Sequence, residues 1–420
     1  MMGGANRRLT STVVAVLALL LASGVSDPSP LHAQRVVAQS GDLTLDLGGY
    51  ARNLAGLYHL GYDVPGQDRT SAFDAQVLRL KWGARLGDRA VLNVHDRVQL
   101  QASSEARSLG NSVAGFGVSA LPGRSVNLRT SIVDRDRVQA WHDVDRLALT
   151  VYTGAGDITV GRQAITWGIS NLFPVADLWA QFSPFELDTE EKPGIDAVRW
   201  LFYPRAGWEV DAVMADRGSS GDLSAGVRAS VTLPWADVHL AGGKFWNQAL
   251  AMAGVSAPVG AWKLRAEGVL PYDLDRDDFT RVRATVGADW LHGEWVVSGE
   301  VHLNGIGAPD ASGYGAVLQD PRFIRGESYY LGRHYLGAVV NYAPGNDRLS
   351  FTLNAMMNLQ DPSAAVTPVV TYDLGQSVRL SAGGLWAVGR RPDMTGVLPA
   401  FRSEYGAYGS LLFTRMSWYF

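Results

Sequence analysis

The 420-residue chain contains no cysteine, so disulfide scaffolds, thiolate metal sites and a lipid-bearing N-terminal cysteine are all excluded. It also lacks a basic excess. The 37 Lys and Arg against 41 Asp and Glu leave a formal net charge of -4, without the electrostatic footprint of a nucleic-acid partner. Beyond residue 34 no uninterrupted apolar run approaches the ~20 residues a helix needs to cross hydrocarbon. Catalytic signatures are missing as well: no G-x-S-x-G, no Walker A sequence, no H-E-x-x-H, and no metal-ligand spacing among the eight His residues. The reading is of a non-enzyme without cofactor or metal site.

What the chain does have begins at its N-terminus. Arg7 and Arg8 precede an apolar run over 13–22, followed by small and turn-forming residues through Ala33. That pattern is a signal peptide. Cleavage after Ala33 is favoured over Gly24 because Pro28 and Pro30 lie in the spacer, which leaves a single domain over 34–420.

The decisive signal is alternation with period two. Over 78–86, Leu78, Leu80, Trp82, Ala84 and Leu86 share one face while Arg79, Lys81, Gly83 and Arg85 share the other. After a Gly87-Asp88 turn the pattern repeats, and Asp96 alone breaks the apolar face of the next strand. Similar segments follow near 222–233, 280–291, 347–359 and 376–388, each about as long as the ~9–11 residues of a tilted membrane-crossing strand. Such alternation means lipid on one side and water on the other.

Short and long connections also alternate, as expected when tight turns lie on one side of a membrane and long loops on the other. The expectation is an all-β fold: a transmembrane antiparallel up-and-down β-barrel of about eighteen strands. Sixteen is the alternative, because the segment 249–257 is weak and 131–142 is ambiguous. Connections of variable length are expected at 59–73, 104–143, 168–193, 216–221, 271–279, 304–330 and 389–402, with shorter ones near 247 and 361.

Two features carry a resemblance. The last strand places Leu412, Met416, Trp418 and Phe420 on one face and ends on Phe; the segment Gly161-Arg162-Gln163-Ala164-Ile165-Thr166-Trp167-Gly168 is followed by Pro174 and Asp177. Both resemble proteobacterial outer-membrane porin-like barrels of largely unassigned substrate. The resemblance implies an outer-membrane location, recognition of the Phe420 strand by the barrel-insertion machinery, and a contribution of the 161–177 stretch to the pore interior. A homo-trimer is among the arrangements it allows.

Charged residues in the polar phase of the strands are the candidate pore lining: Arg79, Lys81, Arg85, His95, Arg97, Lys263, Arg265, Arg281 and Arg283. Arg162 shares its phase with Ile158 and Val160, yet a charge on the lipid face costs ~2–4 kcal/mol at mid-depth, so it is assigned to the lumen through a local bulge. The long, apolar and acidic connection 168–193 is expected to fold into the barrel and narrow it, with Asp177, Asp188, Glu190 and Glu191 facing the basic wall. The expected partners are outer-membrane lipid and a small hydrophilic solute, anionic if the basic wall prevails. The alternative is a conduit or shell for exporting a polysaccharide or assembling a protein complex.

Overall fold

In hydrocarbon every backbone amide and carbonyl needs a partner within the protein, and an open sheet leaves two edges unpaired. Among the described residues, the main strands of the sheet close on themselves. The computed structural model describes residues 35–105, 123–184, 186–218, 223–345, 348–396 and 400–420; the segment 1–33, expected from the sequence to be a signal peptide, lies outside the described residues.

The strands in chain order are β1 (Arg35–Ser40), β2 (Leu43–His59), β3 (Thr70–Leu86), β4 (Ala90–Ser103), β5 (Arg129–Arg135), β6 (Val138–Thr153), β7 (Gly156–Gln163), β8 (Ile195–Phe202), β9 (Trp208–Asp216), β10 (Ser224–Thr232), β11 (Asp237–Phe245), β12 (Gln248–Val259), β13 (Trp262–Asp273), β14 (Asp278–Phe279), β15 (Arg283–His292), β16 (Trp295–Leu303), β17 (His334–Tyr342), β18 (Leu349–Asn358), β19 (Ser363–Leu374), β20 (Val378–Val388) and β21 (Ser410–Tyr419). Strands β1, β5 and β14 are hairpin additions to β2, β6 and β13. The other eighteen form an antiparallel ring, closed where Tyr50 to His59 of β2 pair with Tyr419 to Ser410 of β21.

The weak segment 249–257 lies inside β12, so the sixteen-strand alternative falls away. The long connection expected over 104–143 is corrected: its second half is the β5–β6 hairpin, with a turn at Asp136-Arg137. A register shift between Ser131 and Val133 breaks the alternation there, which hides the strand from a period-two reading.

One rim of the barrel carries tight turns. Gly260 and Gly293, at φ 62° and 55°, occupy the left-handed region that the two-residue turns after β12 and β15 require. Aromatic residues gather near the same rim, with Trp295 stacked on Tyr342 at 4.3 Å, Trp200 on Phe202 at 5.3 Å and Trp418 against Phe420 at 5.0 Å. The opposite rim carries the long loops, of which 304–333 contains two short helices, Tyr314–Leu318 and Pro321–Ile324. Between the rims the outer wall exposes large apolar side chains such as Leu240, Val286, Val301 and Leu412, each more than half exposed. The buried core sits inside the ring, where the connection 164–194 packs against the inner wall.

Candidate functional site

The inner wall is built by the phase opposite those apolar residues. Register places Arg79 beside Tyr50 and Arg97, and Lys81 beside His95, so the early basic residues of β3 and β4 share one inward face. Most of their charge is taken up locally. Arg79 is 1% exposed and donates to both oxygens of Asp145 at 2.8 and 2.7 Å. Lys81 pairs with Glu191 of the connection 164–194. Arg97 lies 3.8 Å from Asp143, and the exposed Arg85 lies 3.6 Å from Asp46. On the far wall Arg265 is 5% exposed, bonded to Asp289 and 3.3 Å from Glu300, while Arg283 is 2% exposed and lies 3.6 Å from Glu327. Arg281, just before β15, and Lys263 remain exposed.

Arg162 departs from the expected bulge. The β6–β7 ladder runs through Leu147↔Arg162 without a register shift, which keeps Arg162 in the phase of outward Val160 and Ile158. The charge is enclosed instead of turned to the lumen. Its guanidinium, 2% exposed, donates to Asp196 at 2.7 and 3.0 Å and to the Val144 carbonyl at 2.9 Å, and it also reaches the Val126 carbonyl. The segment 123–128, lying above the end of β7, supplies that cover, and the local backbone departure is Gly161, at φ 115°.

The connection 164–194 crosses the interior because its residues find two kinds of partner there. Its first half is apolar, and rings seat against glycines of the wall: Trp167 at Gly226 and Phe173 at Gly337, where a Cβ would meet the rings at 3.0 and 2.7 Å. The backbone amides of the same half are taken by wall carboxylates. Glu300 accepts from Asn171 at 2.7 Å and from Leu172 and Phe173 at 3.0 Å, and Glu267 accepts from Ile169 at 2.7 Å. Trp167 also donates to Asp211 at 2.8 Å.

The second half is acidic and meets basic wall residues. Arg52 pairs with Asp188 and Glu190, Tyr419 donates to Glu190 at 3.0 Å, and Arg146 lies 3.9 Å from Glu191. Arg415 donates to the Leu187 carbonyl at 2.8 Å. Burial pushes the Glu191 carboxyl upward, but its hydrogen bond and charge contact with Lys81 outweigh this and hold it below the usual carboxylate range. Asp177 does not reach the wall. It holds Lys192 of the same connection, whose ammonium also donates to the Ile165 carbonyl at 2.7 Å; burial pushes the Asp177 carboxyl up and the Lys192 ammonium down.

Below the first half of this connection lies an open chamber of about 630 Å³, lined among others by Ile169, Glu209, Arg228, Ser230, His239 and Lys263. Arg228 donates to Glu209 at 2.9 Å, and His239 shares a hydrogen bond with Ser230 at 2.8 Å. Sequence reading missed Arg52, Arg146, Arg228 and Arg415 as contributors. Arg52 sits among the small residues of Gly48 to Gly56, which blur the alternation, and Arg146 follows a bulge that turns both Asp145 and Arg146 inward.

The fold and interior together define a class: an eighteen-stranded antiparallel barrel with an apolar exterior and an interior crossed by one pinned connection. The same fold is found in bacterial porins. OccAB1 of Acinetobacter baumannii matches with a TM-score of 0.56 and 11% identity, covering 93% of this chain and 99% of that one. The outer membrane protein opdK of Pseudomonas aeruginosa matches with a TM-score of 0.52 and 11% identity, over 90% and 98%. A BenF-like porin of Pseudomonas fluorescens Pf-5 gives 0.54 and 11%, over 89% and 98%. At such identities the likeness is one of fold. No protein-family model and no curated protein matches the sequence.

Proposed function

We propose that the protein is an outer-membrane porin-like channel through which small hydrophilic solutes diffuse, exported by way of a signal peptide over residues 1–33. The observation that carries the reading is the closed ring of eighteen strands, apolar outside and charged inside, crossed by a connection that ion pairs hold to the wall. An eighteen-strand ring is too wide for wall side chains alone to fill, so what the connection leaves unoccupied holds water. The solved porins of the same fold support this reading over a conduit or shell for polysaccharide or protein export.

A preference for anionic solutes is the finer part of the proposal. Lumen acids Asp188, Glu190 and Glu191 are engaged by Arg52, Lys81 and Arg146, whereas Lys263, Arg281 and Arg85 remain open to solvent. Exposed cations near the two mouths of the barrel favour the entry of anions. Outer-membrane lipid covers the exterior, the Phe420 strand serves as the insertion signal, and a homo-trimer is the proposed assembly. Swelling of liposomes containing the purified barrel tests the reading: faster swelling in small carboxylates than in size-matched cations is expected, and no swelling in any small solute would refute it.

A further inference from the structure

The two-residue turns after β12 and β15 place glycine first, in the left-handed region. The turn that joins β11 to β12 on the opposite rim places Trp246 there instead, at φ 51°, followed by Asn247. A bulky residue in this region is costly, and such backbone persists only where its surroundings hold it. What holds Trp246 is its ring. The residue is 7% exposed and belongs to the buried cluster that contains Trp179 and Phe245, while its amide donates to the Ser224 hydroxyl at 3.3 Å. Two guanidinium groups lie against that ring. Arg217, which follows β9, stands 4.4 Å from the ring centre of Trp246 and 5.3 Å from that of Trp179; Arg325, from the loop 304–333, stands 4.8 Å from Trp246. Arg217 is buried and, among the described residues, has no carboxylate within 4 Å to balance its charge. It donates instead to the Trp179 carbonyl at 2.9 Å, the Leu178 carbonyl at 3.4 Å and the Ser224 hydroxyl at 3.3 Å. A buried charge without a counter-ion is tolerated when its donors are taken, and two of these three acceptors belong to the connection 164–194.

Resting on the reading of a channel narrowed by that connection, we infer that Arg217 is a positioning residue of the restriction, and that the loop 304–333 controls its grip through the contact of Arg325 with Trp246. The loop end of this relay is itself anchored. Arg325 donates to Glu327 at 3.1 Å and to the Asn247 side-chain oxygen at 3.4 Å, and Glu327 lies 3.6 Å from Arg283 at the start of β15. Tyr329 of the same loop donates to the Gln181 carbonyl at 3.2 Å, a second tie to the same part of the connection. When the loop moves away, Arg325 leaves Trp246, the strained turn relaxes, and Arg217 loses the ring that fixes its planar fork on the two carbonyls. The segment 176–182 then comes off the wall and the pore widens. The width of the pore is thereby set from the outer loop, at a distance from the acidic half of the connection that Arg52 and Lys81 hold.

Hydrogen exchange and single-channel recording of the full-length barrel test this together. Arg217→Met, Trp246→Gly and Arg325→Ala are each expected to lose amide protection over 176–182 and to give larger current steps than the wild type. Arg325→Ala decides the case where Arg217→Met does not insert, because the Arg325 side chain is 24% exposed and lies on the outer loop. In a chain that lacks 172–192, adding Arg325→Ala is expected to leave the step size where the deletion puts it. Wild-type protection over 176–182 in Arg325→Ala overturns the inference. So does a further enlargement of the steps when Arg325→Ala is added to the deletion, since the loop would then act on the pore without the connection. An inserted wild-type barrel that passes no current removes the channel reading itself, whereas exchange over 176–182 still reports on the grip of Arg217.

Discussion

Arg79 of β3 and Asp145 of β6 meet across the strand that separates them, the guanidinium donating to both carboxylate oxygens at 2.8 and 2.7 Å with 1% and 3% of each side chain exposed. The pair turns two inward charges into a strut between strands. A buried pair costs desolvation, so its presence stabilises less than the loss of one partner destabilises.

The first prediction follows from that asymmetry. Asp145→Leu or Arg79→Met alone strands a buried charge and lowers stability by about 3–5 kcal/mol, whereas the double variant recovers most of the loss. Urea unfolding of the folded barrel in vesicles, followed by tryptophan fluorescence, measures this. Single variants no less stable than the double would show that the two charges do not depend on each other.

A second prediction concerns Glu300, which accepts three consecutive amides of the connection 164–194. Glu300→Ala leaves those amides without their acceptor, at a cost of ~1–3 kcal/mol for each one that water does not reach. The crossing segment loosens at Asn171 to Phe173, and single-channel recordings show noisier, larger currents than wild type. A quiet current of wild-type size would place the restriction elsewhere.

Acidity provides a third. Among the long loops Glu404 is buried, its carboxylate accepting from Asn358 at 2.7 Å, from the Leu331 amide at 3.1 Å and from the Tyr335 hydroxyl, while its own amide donates to Asp361 at 2.6 Å. Burial pushes the Glu404 carboxyl up to about 7, against the partial relief those donors give. A carboxyl raised on folding contributes stability that is fully present below its unfolded value near 4.5 and is lost as pH rises through about 7. Hydrogen exchange in the segments 304–333 and 389–409 therefore quickens between pH 5 and pH 8 beyond the intrinsic rate change, and Glu404→Gln flattens that extra dependence. Equal protection at both ends of the range, after intrinsic correction, would contradict it.

A fourth prediction addresses the open chamber. Lys263→Glu reverses an exposed charge beside Arg228 and His239, so the reversal potential in a salt gradient moves toward cation selectivity while unfolding in urea is unchanged. A reversal potential identical to wild type would take Lys263 off the conduction path.

Much of the fold was legible because each crossing strand separates two solvents. Leu78 to Leu86 alternate without a fault, and their outward and inward phases in the barrel match that reading. The β5–β6 hairpin was not legible, since a bulge at Ser131/Val133 and the run Asp134 to Arg137 erase the period. Within the interior, the composition of the 168–193 connection announced both its apolar and its acidic halves, yet it gave no partners. Asp145, Asp289 and Glu327 neutralise Arg79, Arg265 and Arg283 through the register of neighbouring strands and the fold of loop 304–333, relations that local spacing does not encode. Arg162 shows the same limit: the cost of a charge facing lipid assigned it to the lumen against its phase with Ile158 and Val160, whereas it keeps that phase and is enclosed by the segment 123–128, which comes from elsewhere in the chain.

Planar-bilayer recording of the purified barrel beside a variant lacking 172–192 addresses the central claim, a water-holding ring narrowed by one pinned crossing. Discrete, stable current steps are predicted for the wild type, with distinctly larger steps for the deletion. An inserted wild-type barrel that stays silent, or a deletion whose steps equal those of the wild type, would contradict it.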